Sequence, residues 1–344
     1  MDNLFDLFKK VAEDRAKQFT YQHIPFEKPE MDPLEVYGSY FRITLCQMFL
    51  PKAREWFTKL YPAAHASVRM QYADYDAVEL MYVTPVPKQA DLSRGIQLNY
   101  TVTNLIPWNG GTLEIAAGLL SMQGPDQLKG ALDVLGSFSS LVAAPVSQAI
   151  TVAGKIADVA QQFIVGKSDA VEFTFHQTYS DVSTGNVLRP GYYAAILATD
   201  ADLKGKKLTV VADQLQANSK DFTDFAYLLF RIDGVKERSD WRMKNIQNNI
   251  NRARDSYRKR DVPNGDGFRG AALAAVDESP ELSYVDKNRI EELILKELEP
   301  LRKIGLGAAG SFDPKKSYEL DELRKKAMSW EKAKAMGPKT RPFG

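Results

Sequence analysis

Residues that form covalent or metal-linked frameworks are scarce in this sequence. It has a single cysteine, Cys46, and three histidines, His23, His65 and His176. One cysteine excludes an internal disulfide framework and a cysteine-rich zinc site. No two histidines have helical ligand spacing, so we expect no metal, no cofactor, and histidines exposed on strand surfaces. Nothing near Cys46 in the sequence would lower its thiol pKa, which favours a small strand residue over a nucleophile.

An excess of charge of one sign is also absent. The 45 lysines and arginines nearly balance the 44 aspartates and glutamates, which gives a formal net charge of +1. Such a chain has no global field that would recruit nucleic acid or anionic lipid. The first residues include Asp2 and Asp6 and lack an uninterrupted apolar core, so we expect no signal peptide and a cytoplasmic location.

Two short motifs resemble nucleotide-binding loops in their letters only. Residues 305–310, GLGAAG, match a dinucleotide fingerprint, but a charged helical pattern precedes them and Asp313-Pro314 follows. Residues 166–168, GKS, match the end of a phosphate-binding loop, but Gln161 stands where its first glycine belongs. Neither motif joins a strand to a helix, so we interpret both as structural segments.

Strand-like alternation of apolar and polar residues fills most of the chain from residue 40 to residue 235. In one example, Phe41, Ile43, Leu45 and Phe49 alternate with Arg42, Thr44 and Cys46. About eight or nine short strands, each with one solvent-facing side, favour antiparallel pairing. The predicted fold class is mainly β, α+β overall. It is an antiparallel β-sandwich with a two-helix insertion between strands and a helical carboxyl-terminal region.

The insertion covers residues 124–166 and has no formal charge between Asp133 and Lys155. Pro145 splits it into two predicted helices, each with one apolar face. A membrane span needs about 20 predominantly apolar residues, and serines together with Pro145 interrupt this stretch. We therefore expect the hairpin to pack over a sheet. The alternative is insertion into a bilayer, with Phe138, Val142 and Ile150 as the membrane-facing residues.

Helical patterns stand at both ends, and they define three predicted domains. Residues 1–35 hold an amphipathic helix and a linker, residues 36–236 the β-sandwich, and residues 237–344 the helical region with a flexible tail. In the last part, Ser239 is the predicted cap of a basic helix. The predicted inner face of this helix is formed by Ile246, Ile250, Ala253 and Tyr257. Residues 262–270, VPNGDGFRG, are the predicted turn that ends it.

An acidic helix over about residues 285–303 follows this turn, and a last helix is predicted around residues 318–335. Because the first of these helices is basic and the second is acidic, we expect the two to pair with each other.

This organisation predicts a non-enzymatic interaction or structural subunit of a larger protein assembly. We expect a protein partner or self-association, with Arg252, Arg254, Arg258 and Trp330 as contact residues. Nucleic-acid binding by residues 239–260 is the weaker hypothesis, because aspartates dilute the positive charge. Two further alternatives stay open: a membrane-inserting, pore-forming effector that uses residues 124–166, and an enzyme whose site gathers dispersed residues.

Overall fold

The computed structural model describes residues 19–30, 32–51, 61–72, 75–85, 95–122, 171–180 and 186–307. The chain divides into two compact units. Unit 1 comprises Met1–Trp241 and Val276–Ile290, and unit 2 comprises Arg242–Ala275 and Glu291–Gly344. Each unit is thus built from two separate segments of the sequence. The predicted three-domain division at residues 35 and 236 stays a prediction.

Strands make up unit 1, and every strand pair in its described part is antiparallel. The strands are β1 (Thr20–Ile24), β2 (Tyr40–Phe49), β3 (Tyr61–Tyr72), β4 (Tyr75–Pro85), β5 (Ile96–Thr101), β6 (Ile106–Pro107), β7 (Thr112–Met122), β8 (Val171–Ser180), β9 (Gly191–Ile196), β10 (Leu208–Val211), β11 (Gln214–Ala217), β12 (Lys220–Asp221) and β13 (Tyr227–Val235). The predicted fold class, mainly antiparallel β and α+β overall, is confirmed.

The strands form three sheets. The largest has six strands in the order β1-β9-β13-β2-β5, with β6 beside β2. A four-stranded sheet has the order β4-β3-β7-β8, and a three-stranded sheet has the order β10-β11-β12. Neighbours that are distant in sequence, such as β13 and β2, place residues from both ends of unit 1 in the middle of the large sheet.

A shared hydrophobic core joins the six-stranded sheet to the four-stranded sheet. Phe41 and Phe230 of the first sheet belong to the same buried cluster as Val68, Ile115 and Phe175 of the second. Burial of such side chains stabilises the unit by about 25 cal/mol for each Å² of apolar surface removed from water. The predicted sandwich would need a core of this kind, and the sandwich itself stays a prediction.

A second core lies on the other side of the six-stranded sheet, beneath the three-stranded sheet. Cys46 and Leu229 pack there with Leu208, Leu215 and Phe222. Strand β2 is consequently buried on both sides, so the expectation of one solvent-facing side for each strand is wrong for this strand. The small sheet covers the side that alternation alone would leave in water.

A β-bulge at Cys46 changes which side each later residue of β2 faces. Opposite β13, Leu45 pairs with Phe230 and Gln47 pairs with Leu229, which leaves Cys46 as the extra residue. After the bulge, Phe49 lies in the second core, although Phe41 lies in the first. The prediction that these two phenylalanines share a side is therefore wrong, because one inserted residue reverses a period of two.

The three helices in the described part are α1 (Lys244–Arg258), α2 (Val262–Asp277) and α3 (Tyr284–Gly307). The predicted inner face of α1 is confirmed, since its buried residues are Ile246, Ile250, Ala253 and Tyr257. The predicted cap at Ser239 is wrong. The helix begins later, after Met243, and no side chain caps it.

The predicted turn at residues 262–270 is also wrong, because this segment is the first part of α2. Asp261 precedes the helix, and its carboxylate accepts a hydrogen bond of 3.3 Å from the backbone amide of Asn264. Pro263 is tolerated because it lies in the first turn, where its missing amide hydrogen has no helical partner. A Cβ at Gly265 would lie 2.3 Å from the ring of Tyr257, so this glycine permits close packing on α1.

Several predicted segments lie outside the described residues. They are the amino-terminal helix before Phe19, the hairpin at residues 124–166 and the last helix at residues 318–335. Within the ranges that the structure does describe, no helix is both long and apolar enough to cross a membrane.

Candidate functional site

The predicted partner-binding arginines that are described lie in unit 2, and their environments differ. Arg252 lies over the ring of Phe268, with 5.6 Å between the guanidinium carbon and the ring centroid. Arg254 forms an ion pair with Glu297. The side chain of Arg258 is 70% exposed, and its ion pair with Asp255 is 4.0 Å long. Such long surface pairs contribute little free energy, so Arg258 is the arginine most available to a partner.

The predicted pairing of the basic and acidic helices is confirmed. Glu297 of α3 binds Arg254 of α1, and it also binds Arg242 at 2.6 Å. Two further ion pairs link α2 to α3, namely Arg269 with Glu299 at 3.4 Å and Asp266 with Arg302 at 2.8 Å. Much of the charge in these helices is therefore satisfied within unit 2 itself.

The other predicted site residues cannot be placed. Trp330, the fourth partner candidate, and the membrane candidates Phe138, Val142 and Ile150 lie outside the described residues.

Unit 1 contains a cavity of about 450 Å³ where the six-stranded and four-stranded sheets meet at β1 and β8. Its lining comprises Tyr21, His23, Gln177, Tyr179, Asn186, Val187, Arg189 and Tyr193. Strands β1, β8 and β9 supply most of these side chains, and the segment before β9 supplies the rest. Small-molecule sites in proteins have volumes of about 300–1,000 Å³, so this cavity has the size of a ligand pocket.

Aromatic rings form the walls of this cavity. Tyr21 stacks on Phe175 with ring centroids 4.3 Å apart, which fixes one side of its ring in the core. Tyr193 contacts His23 at 4.7 Å and Tyr179 edge-on at 5.6 Å. Rings packed in this way lose little further conformational freedom when a flat molecule lies beside them.

The hydroxyl of Tyr179 is buried beside the hydroxyl of Tyr21, and within the described part of the chain its own hydrogen has no acceptor. By contrast, the hydroxyl of Tyr193 donates to the carbonyl of Arg189 at 2.9 Å. Buried polar groups in native proteins are nearly always paired, and an unpaired one costs about 1–3 kcal/mol. Tyr179 therefore offers a hydrogen bond to whatever enters the cavity.

Burial keeps the phenols of the cavity protonated. Desolvation raises the pKa of Tyr21 and of Tyr179 well above the ordinary value, and the neighbouring Tyr193 raises both further. Hydrogen bonding between the two hydroxyls raises the pKa of Tyr21 and lowers that of Tyr179, which is the direction expected when Tyr21 is the donor. Desolvation also raises the pKa of Tyr193. All three side chains are therefore neutral hydroxyls at physiological pH and can act as hydrogen-bond donors.

Arg189 and His23 supply the remaining polar character. Arg189 pairs with Asp32 at 2.8 Å, and 46% of its side chain is exposed. Nε2 of His23 lies 3.0 Å from the carbonyl oxygen of Pro190, which can only accept, so this nitrogen carries the hydrogen. Gly191 makes room for the ring, because a Cβ there would lie 2.5 Å from Nε2. Among the described side chains that line the cavity there is no carboxylate.

A separate polar cluster surrounds Asp213, between β10 and β11. Asp213 accepts a hydrogen bond of 2.7 Å from Tyr192 and one of 2.9 Å from Arg231, and Arg231 also pairs with Asp233 at 3.2 Å. These bonds and ion pairs join its members to one another, which indicates a structural role. Nε of Arg231 contacts Asp233 as an ion pair but makes no hydrogen bond within the described part of the chain. Cys46 lies nearby, and burial, followed by the charge of Asp213, raises its thiol pKa to about 12.

The histidines do not behave as the expected surface residues where they are described. His176 is only 11% exposed and lies 2.9 Å from Glu114, and His23 lines the cavity. The side chain of His65 lies outside the described residues. Within the part of the chain that can be examined, no group of three or more metal-ligating side chains converges.

Sequence reasoning missed the cavity because it assigned His23 to a proline-bearing linker, whereas residues 20–24 form β1. The letters TYQHI did contain a signal, since Thr20 and Ile24 are β-branched, four residues apart on one face of a strand, and Tyr21 is aromatic. The rest of the lining comes from strands that were predicted, but their convergence depends on the sheet order.

No protein-family model, curated protein or solved structure matches this chain.

Proposed function

We propose that this chain is a non-enzymatic interaction subunit of a larger protein assembly, and that unit 2 binds an acidic segment of a protein partner. The observation that carries the proposal is a group of exposed cations, which we name the basic end: Arg258, Lys259, Arg260 and Lys303. We take the cytoplasm as its setting, because a lone buried thiol suits a reducing compartment.

The members of the basic end come together because α1 and α3 touch there. The carbonyl oxygen of Tyr257 lies 3.4 Å from the Cβ position of Gly305, so the residues after Tyr257 adjoin those before Gly305. Lys303 is 74% exposed, and its ion pair with Glu299 is 4.0 Å long. Ile304, beside it, is 44% exposed and adds an apolar contact.

An acidic partner segment with one apolar residue would complement this surface. Exposed cations steer association with an acidic partner, and a small apolar contact beside them adds affinity. Arg254 is a poorer contact candidate than Arg258, because its side chain is 31% exposed against 70% and lies against Glu297.

The test is the composition of the full-length protein purified gently from its own host. We expect a stoichiometric partner or a defined oligomer, and at least tenfold less of it after joint substitution of Arg258→Glu and Lys259→Glu. Lys296→Glu, an equally exposed charge reversal on α3, should retain the partner. A lone monomer in the wild type, or full retention by the double variant, would reject the proposal.

Membrane insertion by residues 124–166 is the second candidate, and it rests on the absence of formal charge between Asp133 and Lys155. Under this hypothesis the wild-type protein releases dye from liposomes. Phe138→Asp or Ile150→Asp should abolish the release, since a charge in lipid costs several kcal/mol. Intact liposomes under all triggers would end this hypothesis.

The enzymatic alternative has less support among the described residues. Neither Cys46 nor His176 lines the cavity of unit 1, and the high pKa of the Cys46 thiol makes it a poor nucleophile. The non-enzymatic proposal is therefore preferred.

A further inference from the structure

We propose that the cavity of unit 1 is a binding site for a small planar aromatic carboxylate. This inference is independent of the proposed docking surface, which belongs to unit 2. Three features of the cavity carry it: its aromatic walls, a buried hydroxyl whose hydrogen has no acceptor in the described part of the chain, and the guanidinium of Arg189 among the described lining residues.

The walls select a flat ligand. Tyr21 is held against Phe175, and Tyr193 is held between His23 and Tyr179, so the rings cannot rotate freely to fill the space themselves. Aromatic pairs prefer centroid separations of about 4.5–7 Å in stacked or edge-on geometry, which a ligand ring can adopt beside Tyr21 or Tyr193. A volume of about 450 Å³ accommodates a bicyclic ring system.

The hydroxyl hydrogen of Tyr179 selects an acceptor. Its side chain is 2% exposed, so bulk water does not satisfy it. A neutral phenol donates readily, and a hydrogen bond to a charged acceptor is about twice as strong as one between neutral groups. A carboxylate oxygen would satisfy this hydroxyl better than an ether or an amide would.

The charge of the lining selects an anion. Among the lining residues that the structure describes, Arg189 is the one side chain of fixed charge, and its ion-pair partner Asp32 is not one of them. A guanidinium can bind two carboxylates with its several N–H groups, so the pair with Asp32 does not exhaust Arg189. A ligand carboxylate between Arg189 and Tyr179 would have a charged donor and a neutral donor.

The probe is 2-naphthoate, titrated into the full-length protein by isothermal titration calorimetry. We expect saturable binding at one site in each chain, and at least tenfold weaker binding of the neutral 2-naphthamide and of the non-planar cyclohexanecarboxylate. Absence of saturable 2-naphthoate binding would overturn the proposal. Equal binding of 2-naphthamide would overturn the assignment of a carboxylate, and equal binding of cyclohexanecarboxylate would overturn the assignment of an aromatic ring.

Tyr179→Phe separates a binding role from a structural one. Removal of a buried hydroxyl whose hydrogen has no acceptor should change the melting temperature of the free protein little, while 2-naphthoate binds about tenfold more weakly. Arg189→Gln should weaken 2-naphthoate but not 2-naphthamide. The matched control is Tyr192→Phe, whose hydroxyl bonds Asp213 outside the cavity, and it should bind 2-naphthoate like the wild type. Wild-type affinity in the folded Tyr179→Phe variant would overturn the role of the hydroxyl.

Discussion

The hydroxyl of Tyr40 donates a hydrogen bond of 2.7 Å to Oδ2 of Asp286, 246 residues further along the chain. The same hydroxyl accepts the amide hydrogen of Ser283 at 2.9 Å. In an ordinary capping box, the side chain three residues after the cap would bind that amide directly. Here the hydroxyl of Tyr40 lies between the amide of Ser283 and the carboxylate of Asp286. A residue of β2 therefore completes the hydrogen bonding at the start of α3.

Tyr40→Phe should lower the free energy of unfolding by about 2–3 kcal/mol, because it leaves the buried amide of Ser283 unpaired and removes one bond to a buried carboxylate. Urea unfolding followed by far-ultraviolet circular dichroism measures the change. Tyr37→Phe is the control, since the side chain of Tyr37 is 55% exposed, and it should unfold like the wild type. Equal stability of the two variants would show that the Tyr40 bridge contributes nothing.

Gly265→Ala should destabilise unit 2, because its new Cβ would lie 2.3 Å from the ring of Tyr257. Overpacking of this kind costs about 1–3 kcal/mol. Gly267→Ala, two residues on in the same helix, meets nothing within 4 Å and should raise stability by up to about 1 kcal/mol. Thermal melts of both variants provide the comparison. A stabilising Gly265→Ala would contradict the packing of α2 on Tyr257.

Cys46 should be almost inert to thiol reagents in the folded protein. Burial raises its thiol pKa from an ordinary 9.0 to about 12, so at about pH 8 the thiolate is about a thousandfold scarcer than in an unfolded chain. Reaction with Ellman's reagent, followed by absorbance, measures the rate. Concentrated guanidinium chloride should release one reactive thiol from each chain. Rapid modification without denaturant would refute burial of the bulge residue.

Asp266→Asn should destabilise unit 2 at neutral pH and not in acid. Asp266 accepts bonds from Arg302 at 2.8 Å and from Tyr257 at 2.7 Å, and the Arg302 bond is the main cause of its lowered pKa. A carboxyl whose pKa is lower in the folded state stabilises that state above its unfolded pKa. Screening by water limits the effect to about 1 kcal/mol.

The pH dependence of the stability of Asp266→Asn shows the direction of the Asp266 pKa shift. The difference in the free energy of unfolding between wild type and Asp266→Asn should be constant above about pH 5 and should shrink as the pH falls below about 4. Urea unfolding at several pH values measures it. A difference that grows in acid would contradict the assignment of the lowered pKa to Asp266.

Local periodicity predicted the elements better than it predicted their partners. The inner face of α1 followed from a period near four, because Ile246, Ile250, Ala253 and Tyr257 need no distant information. The side occupied by Phe49 did not follow, since the bulge at Cys46 depends on how β13 pairs with β2. The helical state of residues 262–270 did not follow either, because the packing of Gly265 on Tyr257 overrides the turn signals of Asn264-Gly265 and Asp266-Gly267.

In the candidate sites too, local sequence patterns indicated single residues but not the contacts between them. Local charge patterns indicated the arginines of unit 2, but they could not show that Glu297 pairs with Arg254 while Arg258 remains exposed. The cavity of unit 1 needs β1 beside β9 and the edge of β8 near both, and no window of the sequence contains that arrangement.

Because unit 1 is built from two separate segments of the chain, its parts become available for folding in a fixed order during synthesis. A ribosome that has made residues 1–241 has delivered every strand that the structure describes, but Ser283 and Asp286, which form hydrogen bonds with Tyr40, are not yet made. At about 5–20 residues per second, translation takes several more seconds to deliver them. The first segment of unit 2, Arg242–Ala275, emerges within that interval. A nascent chain stalled at Trp241 therefore exposes an incomplete unit 1. Unit 1 can be completed only once the chain has been made to about Ile290 and released.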